Sequence, residues 1–313
     1  MESTTSFISS RGFMKSCNAY NNTPLSSIDY IDPNILDDLG NRESIYICTD
    51  ALFNFSSNFL DKIQYPFILI TGDSDTPITQ NLIEHVAIKN ILDNPNLIKW
   101  HAQNLVAHHP KLHRLPIGLD YHTMWERNGN WGLVQQSPIA QERALMNIFA
   151  ASSDFTERFF AGYCNWHFAI ERGDRQECFS KIDKSLCLIE KNHLPRLSSW
   201  QRQAECMFVI SPEGAGIDCH RTWEAILLGC IPVMKINKIT PLFDRLPVVI
   251  LNDWTDFNVN FMKNQLSRLI NEKFNFNSLF LKYWDSKISN KKYIDLPDMH
   301  LKEFKKLICE NSF

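Results

Sequence analysis

Short apolar runs, separated by longer stretches of mixed polarity, recur along the whole chain. In the first half, four such runs have the composition of buried strands. They lie at 44–49, 65–71, 97–102 and 112–118. Apolar residues recur at helical spacing from 78 to 92, between the second and third runs. Strands that alternate with helices predict an α/β protein with a parallel sheet.

The pattern restarts in the second half, after a polar stretch at 123–140 that predicts a linker. Further strands are predicted at 144–151, 206–211, 231–236 and 247–251. The tail, 260–313, mixes aromatic and basic residues at helical spacing. We therefore predict two α/β units, an N-terminal domain at 1–135 and a C-terminal domain at 136–313. A helix of the tail can pack back on the N-terminal domain.

Composition narrows the function classes. The 313-residue chain has 44% hydrophobic residues, enough for two ordinary cores, and its net charge of -3 does not favour nucleic acid or an anionic membrane as a partner. No apolar segment reaches the roughly 18 residues that span a membrane, and the N-terminus lacks the apolar core of a signal peptide. The nine cysteines form no CxxC pair, which argues against a zinc site. We expect a cytoplasmic protein with reduced thiols.

The most informative stretch is SPEGAGIDCHRTWEAILLGCIPV, residues 211–233, in which charged groups lie between two apolar runs. A strand ends at Ser211, a glycine loop follows, and a helix is predicted over 219–228. Asp218 is its predicted N-cap, and Gly229 ends it. A strand, a glycine loop and a helix in this order present backbone N–H groups and the positive end of a helix dipole. That arrangement suits a phosphate.

Side chains of the predicted helix add charge at the same point. His220 and Arg221 lie in its first turn, where they can donate charge-assisted hydrogen bonds. Glu224 shares their face, because residues three or four apart are neighbours on a helix. A carboxylate there can accept both hydroxyls of a ribose. The alternative is an ordinary helix with an Arg221–Glu224 surface pair, but such a helix does not require Gly214 and Gly216.

These residues resemble the C-terminal signature of the exostosin-like glycosyltransferases (glycosyltransferase family 47 and viral relatives). In that signature a glycine loop, an Arg, a Glu and a Gly-x-Ile-Pro-Val strand recur. Supporting matches are WHAQN at 100–104, LPIGLD at 115–120 and a strand followed by Arg158. The resemblance covers most of 98–255, and 211–233 is its specific part. Within that family the chain resembles the small soluble enzymes of large DNA viruses of algae, which include a xylosyltransferase.

The resemblance implies a GT-B fold, in which two Rossmann-like domains face each other across a cleft and the C-terminal one holds the sugar nucleotide. It also implies a UDP-sugar donor, inversion at the anomeric carbon, no obligatory metal and a glycan or glycoprotein acceptor, with xylose as the best candidate sugar. Carried over to this sequence, it assigns the diphosphate to Arg158, His220 and Arg221, and the ribose to Glu224. The loop N–H groups come from Gly214, Ala215 and Gly216.

An inverting transfer also needs a base that takes the proton of the acceptor hydroxyl. We expect it in the N-terminal domain, after a predicted strand. The candidates are Asp73, Asp75, His101, Asp120 and His122. Asp73 and Asp75 are preferred, although a cap on a helix that starts near Pro77 is the simpler account of at least one of them. The remaining predicted substrate-binding residues are Ser211, Asp218, Asp120 and Arg11.

Arg11 belongs to 11–17, RGFMKSC, which is predicted either as a plain surface loop or as a loop that lines the acceptor side of a site. It lies within a Ser-, Asn- and Pro-rich N-terminal segment, 1–40, that we expect to extend over the fold.

Two other functions stay open. The sequence Asp73-Ser-Asp75 matches the DxD pattern of metal-dependent GT-A glycosyltransferases, in which two carboxylates bind a divalent ion. The glycine loop and its helix would then have no purpose. The other possibility is a non-catalytic module that binds a sugar nucleotide or a glycan without turnover.

Overall fold

A computed structural model of the protein describes residues 2–37, 39–126, 134–289 and 291–310. The strands within these ranges are Glu43–Cys48 (β1), Phe67–Gly72 (β2), Leu97–Ala102 (β3), Leu112–Arg114 (β4), Phe159–Cys164 (β5), Cys187–Ile189 (β6), Cys206–Ile210 (β7), Ile231–Lys235 (β8) and Val249–Leu251 (β9). The α-helices are Ser10–Ser16 (α1), Leu52–Asn58 (α2), Gln80–Glu84 (α3), Val86–Asp93 (α4), His122–Glu126 (α5), Pro138–Ala151 (α6), Arg175–Lys181 (α7), Arg196–Ala204 (α8), His220–Leu227 (α9), Val259–Asn271 (α10), Leu281–Ser289 (α11) and Leu301–Glu310 (α12). Over the same ranges, no helix combines the length and the apolar character needed to cross a bilayer.

Both sheets are parallel throughout, which confirms the predicted α/β class. The N-terminal sheet has four strands in the order β1-β2-β3-β4. The C-terminal sheet has five strands in the order β6-β5-β7-β8-β9. Two all-parallel sheets with helical connections are consistent with two Rossmann-like domains of the GT-B type.

The C-terminal sheet reverses its strand order between β5 and β7. Strand β6 pairs with one side of β5, whereas β7, β8 and β9 follow on its other side. The connections that leave such neighbouring strands diverge to opposite faces of the sheet, and α/β proteins bind ligands in the crevice between them. Here the two connections start with the loops at 165–174 and 211–219.

The loops at the carboxyl ends of the two sheets face each other. After β4, the backbone N–H of Ile117 donates to Asp218 Oδ2 at 2.8 Å, and the Gly118 carbonyl oxygen lies 2.7 Å from His220 Nδ1. After β3, Asn104 Oδ1 accepts the backbone N–H of Asp218 at 2.9 Å. A cleft between the two domains is therefore closed at one side by direct hydrogen bonds.

The buried apolar core does not divide at the boundary between the sheets. One cluster lies between the N-terminal sheet and α2, α3 and α4. The larger cluster covers the C-terminal sheet and continues over the other face of the N-terminal sheet. In β2, Phe67 and Leu69 belong to the first cluster, and Ile68 and Ile70 belong to the second. This alternation is the two-residue period of a strand with both faces buried.

The strand predicted at 144–151 is wrong, because these residues form the second half of α6. Leu145 and Phe149 are its fully buried apolar positions in this segment, and their spacing of four is that of one helix face. Ser137 caps the helix by accepting the backbone N–H of Ala140. A short apolar run does not by itself distinguish a strand from a buried helix.

The segment at 11–17 is also not a loop, since α1 takes up most of it. Ser9 caps this helix and accepts the backbone N–H of Gly12 at 2.9 Å. The linker predicted at 123–140 is helical at both ends, in α5 and α6. Its central residues, 127–133, lie outside the described residues.

The tail contacts both halves of the molecule. Helix α11 packs against α1 and β1, and the backbone N–H of Leu281 donates to the Ser6 carbonyl at 2.9 Å. Helix α12 packs against α6, where Lys305 Nζ donates to the carbonyl of Ser152. The last residues of the predicted tail, 311–313, lie outside the described residues.

Candidate functional site

Two adjoining cavities lie in the cleft between the sheets. The first, called here the C-side cavity, has a volume of about 300 Å³, and the second, the N-side cavity, has a volume of about 670 Å³. The C-side cavity is lined by loop and helix residues of the C-terminal domain that include Arg172, Arg175, Gly214, Ala215, Gly216, His220, Arg221 and Glu224. The N-side cavity is lined mainly by the N-terminal domain, with Ser10, Ser26, Asp73, Asp75, Asp120 and His122.

The loop after β5 holds the glycine loop in place. Asp174 accepts the backbone N–H of Glu213 at 2.8 Å and the indole N–H of Trp254 at 2.9 Å. Gly173 has a φ of 55°, and a methyl group on it would lie 2.5 Å from the carbonyl oxygens of Glu213 and Gly214. Only glycine fits here, because it tolerates the left-handed conformation and the close approach of another backbone.

Gly173→Ala is therefore expected to destabilise the protein by about 2 kcal/mol or more and to weaken UDP binding. Urea unfolding would give the stability change, and calorimetric titration would give the UDP affinity. Gly40→Ala is the matched control, since the atoms nearest to its added methyl group belong to the flexible side chain of Glu43. Equal stability of the two variants would contradict a packing role for Gly173.

Three guanidinium groups, from Arg172, Arg175 and Arg221, line the C-side cavity. Arg175 donates to the carbonyl of Ala169 at 3.3 Å, but its buried Nε has no partner among the described residues. Burial, followed by the charge of Arg221, lowers the pKa of Arg175 to about 10. Cations that repel each other in a partly desolvated pocket favour an anionic ligand.

Helix α9 points its first turn at these cations. Its N-terminus adds the positive end of the helix dipole. His220 Nδ1 faces the Gly118 carbonyl at 2.7 Å, which leaves Nε2 for another partner. Glu224 lines the same cavity, and the described residues contain no Arg221–Glu224 ion pair. The surface pair offered above as an alternative is therefore not formed.

Arg158 does not belong to this site, contrary to the prediction. It precedes β5 and so lies at the amino end of that strand, away from the carboxyl edge. Its buried guanidinium donates to the Leu228 carbonyl at 3.0 Å and to Ser152 Oγ at 2.8 Å. The wrong strand at 144–151 explains the error, because it placed Arg158 after a strand. Its observed contacts tie the C-terminal end of α9 to α6.

Asp218 and Ser211 form hydrogen bonds with other residues of the protein. Asp218 does not cap α9, whose N-cap is Cys219. Asp218 is 3% exposed, and its carboxylate accepts the N–H groups of Ile117 and of the Trp223 indole, each at 2.8 Å. Burial raises the pKa of Asp218 to about 6. Ser211 Oγ lies 2.8 Å from Thr222 Oγ1, so both predicted ligands instead hold the loop and the helix together.

The glycine loop also differs in detail from the prediction. The backbone N–H of Gly214 donates to the Gly216 carbonyl at 3.1 Å, so it is not free for a ligand. A methyl group on Gly216 would lie 3.1 Å from both Asp75 Oδ1 and Asn104 Nδ2. The absence of a side chain at Gly216 therefore also allows the N-terminal domain to approach the loop.

On the opposite side of the cleft, Asp73 is already paired. Arg11 Nε lies 3.2 Å from its Oδ2, and the Ser26 hydroxyl donates to its Oδ1 at 2.8 Å. Neither Asp73 nor Asp75 caps a helix, because α3 begins later and is capped by Thr79. Asp75 is exposed and has no hydrogen bond or ion pair within the described part of the chain. The described residues also hold no group of three or more His, Cys, Asp or Glu that could bind a metal.

Arg11 lies behind the wall of the N-side cavity and does not line it. The Arg11 side chain is 4% exposed, and its guanidinium pairs with Asp73 and Glu126. Among the other candidates, His101 is buried against His113 in the sheet, with ring centroids 5.1 Å apart, and is not part of the cavity lining. Burial lowers the pKa of His101 to about 3, so it stays neutral at physiological pH.

Asp120 and His122 form a charged group with Arg196 of α8. Asp120 Oδ2 accepts from Arg196 Nη2 at 2.9 Å, and its Oδ1 lies 3.2 Å from His122 Nδ1. Burial alone would raise the pKa of Asp120, but the charge of Arg196, with smaller contributions from His122 and His220, holds it well below the usual range. Asp120 is therefore ionised and engaged by protein groups.

Sequence reasoning missed Arg172, Arg175 and Arg196. The pair Arg172 and Arg175 belongs to the segment RGDR, which directly follows a strand and a short 3₁₀ turn. Correct assignment of β5 would have shown this segment at a carboxyl edge. Arg196 has no such local signal, since it reaches Asp120 from 76 residues away.

Comparison with known proteins does not identify a family. The sequence matches no protein-family model, and no curated protein is significantly similar to it. The likeness to exostosin-like glycosyltransferases thus depends on the motifs quoted above.

Proposed function

We propose that the protein is a glycosyltransferase of the GT-B type that moves a sugar, with xylose as the first candidate, from a UDP-sugar to a hydroxyl of a glycan acceptor. The observation that supports this most is the C-side cavity. It combines a glycine loop, a helix N-terminus and three guanidinium groups with a carboxylate one turn into the helix. The cavity lies at the switch point between β5 and β7, where α/β folds bind nucleotides.

In this proposal, Arg172, Arg175 and Arg221 hold the diphosphate, and they compensate the negative charge that develops on it as the glycosidic bond breaks. His220 Nε2 adds a further hydrogen bond from the first turn of α9. The carboxylate of Glu224 accepts hydrogen bonds from the hydroxyls of the ribose. The sugar then extends into the N-side cavity, where it meets the acceptor, and the reaction inverts the anomeric carbon because donor and acceptor enter from opposite sides.

The metal-dependent alternative receives less support. A DxD site needs two carboxylates free to bind a divalent ion. Asp73, by contrast, pairs with Arg11 and Ser26. The cations of the C-side cavity offer the diphosphate a different source of positive charge. From the family resemblance alone, we also propose that the acceptor is a glycan carried by a glycoprotein.

A screen of UDP-sugars tests the function directly. The melting temperature of the protein is measured in the presence of UDP, UDP-xylose, UDP-glucose, ADP or inorganic pyrophosphate. A ligand that binds only the folded state raises the stability of that state. Release of UDP is then measured with methyl glycosides of neutral sugars as acceptors. We expect UDP-sugars to stabilise the protein and one of them to be turned over. Binding without turnover of any UDP-sugar would favour the non-catalytic module.

Glu224→Ala tests the ribose assignment. The affinity for UDP is expected to fall about 10- to 100-fold, because a hydrogen-bonded charged group is lost. The affinity for pyrophosphate, which has no ribose, should stay within about twofold. Calorimetric titration of both ligands gives this comparison, and Glu84→Ala on the exposed face of α3 is the control. A similar loss for both ligands would show that Glu224 acts on the loop and not on the ribose.

A further inference from the structure

His122 lines the N-side cavity between two carboxylates. Its Nδ1 lies 3.2 Å from Asp120 Oδ1, and its Nε2 lies 3.8 Å from Asp73 Oδ1 and 3.4 Å from Ser26 Oγ. The residues around both ring nitrogens line the same cavity of about 670 Å³. An imidazole that lines a cavity, with a carboxylate beside one of its nitrogens, is an arrangement by which enzymes position a general base.

Asp120 can hold the ring in one orientation because its own charge is fixed. Arg196 Nη2 and the backbone N–H of Thr123 donate to its two oxygens at 2.9 and 3.0 Å. An ionised carboxylate near Nδ1 favours the tautomer that carries its proton there. The lone pair of His122 is then on Nε2. In this structure Nδ1 is close to Asp120 Oδ1 but has no aligned hydrogen-bond partner among the described residues. Catalytic contacts of this kind are commonly poorly aligned in a free enzyme and tighten when the substrate binds.

Asp73, the base preferred from the sequence, is less suited to the role. Its Oδ2 is paired with the Arg11 guanidinium, and its Oδ1 accepts the hydroxyl of Ser26. Both oxygens that could take a proton are therefore engaged, one of them by a full positive charge. Asp73 can still compensate the charge of a protonated His122, since the two are 3.8 Å apart.

The groups that face His122 come from several elements. Asp120 precedes it in the chain, Asp73 follows β2, and Arg11 reaches Asp73 from α1. Glu126 of α5 pairs with Arg11, and Arg196 of α8 pairs with Asp120. Arg172, His193 and His220 line the same cavity on the side of the C-terminal domain. His220 differs from His122, because its Nδ1 faces a carbonyl and it starts the helix that points at the cations.

On the basis of the proposed function, we propose that His122 is the general base of the transfer, that Asp120 positions it, and that the acceptor is an uncharged sugar hydroxyl. His122 Nε2 takes the proton of the acceptor hydroxyl while the oxygen of that hydroxyl forms a bond to the anomeric carbon of the donor sugar. The bond from that carbon to the phosphate oxygen breaks, and UDP leaves with the electron pair. The serine hydroxyls and carboxylates of the N-side cavity provide hydrogen-bond partners for such an acceptor.

The test measures UDP release and sugar transfer from UDP-xylose and UDP-glucose to methyl glycosides of neutral sugars, with wild type, His122→Gln, Asp75→Asn and His220→Gln. His122→Gln is expected to lower kcat about 10²- to 10⁴-fold and to bind UDP as the wild type does. The wild-type rate should fall at acidic pH, because a protonated base cannot accept the proton of the hydroxyl. That decrease should disappear in the residual activity of His122→Gln and persist in His220→Gln.

Asp120→Asn examines the positioning role. It should lower kcat and shift the pH dependence of the rate, with little effect on UDP affinity. His108→Gln, at an exposed histidine outside both cavities, is the control for the loss of an imidazole.

The outcomes separate the two proposals. Transfer by the wild type together with a kcat of His122→Gln within threefold of it would overturn the base assignment alone. A pH profile of His122→Gln that matches the wild type would also overturn the base assignment. The same holds if Asp75→Asn loses activity and its remaining rate no longer falls at low pH. Absence of transfer by the wild type from either UDP-sugar would overturn the proposed function, and the assignment of His122 with it.

Discussion

Arg175→Met is expected to weaken UDP binding about 10- to 100-fold, since charge-assisted hydrogen bonds to a phosphate are lost. The unliganded protein, by contrast, should be as stable as the wild type or more stable. The reason is that Arg175 is a partly buried cation whose Nε has no partner among the described residues and whose pKa is lowered by burial and by Arg221. Methionine preserves most of the apolar stem and removes the charge.

Thermal unfolding with and without UDP measures both effects in one experiment. The stabilisation by UDP should shrink in Arg175→Met, whereas the melting temperature without ligand should not fall. Arg143→Met, at an exposed position of α6, is the matched control and should leave both values unchanged. A lower stability without ligand, together with wild-type UDP affinity, would show that Arg175 is a structural residue.

Arg196→Met is expected to have the largest effect on stability, a loss of about 3–5 kcal/mol at neutral pH. The substitution leaves the buried carboxylate of Asp120 without its closest cation, which lies 2.9 Å away in the wild type. Both residues are 6% exposed, so water can replace the lost partner only in part. The deficit should shrink as the pH falls, because Asp120 without Arg196 takes up a proton more readily in the folded protein.

Urea unfolding at several pH values provides the measurement. Arg268→Met removes an exposed pair with Glu272 in α10 and should cost less than about 1 kcal/mol. The double variant Arg196→Met/Asp120→Asn should recover part of the lost stability, because no buried charge remains unpaired. A loss of less than 1 kcal/mol in the single variant would mean that the pair does not hold the domains together.

The C-terminal half of the candidate site could be predicted because its signals are local. The apolar run that ends at Ile210, the two glycines of the loop and the helical spacing of His220 and Glu224 all lie within about twenty residues. Such features depend on turn chemistry and on side-chain periodicity, which act between neighbours in the chain. The structure accordingly places the loop, His220, Arg221 and Glu224 at one cavity.

Arg158 shows where local reasoning fails. The run ALMNIFAA is apolar enough for either a strand or a buried helix, and only its packing against α8, α9 and α12 selects the helix. One wrong assignment moved Arg158 from the amino end of a strand to a site at the carboxyl end. It also concealed the strand β5, and with it Arg172 and Arg175.

The sequence by itself determined the α/β class, the position of the glycine loop and the polar face of the helix that follows it. The tertiary structure alone decided which charges meet. Arg11 pairs with Asp73 across 62 residues, Arg196 with Asp120 across 76, and Asp218 with the Ile117 N–H across 101. Strand order and domain docking bring these groups together, because burial of the shared apolar core selects the arrangement. That packing determines which carboxylates pair with a cation and which imidazole lines the N-side cavity.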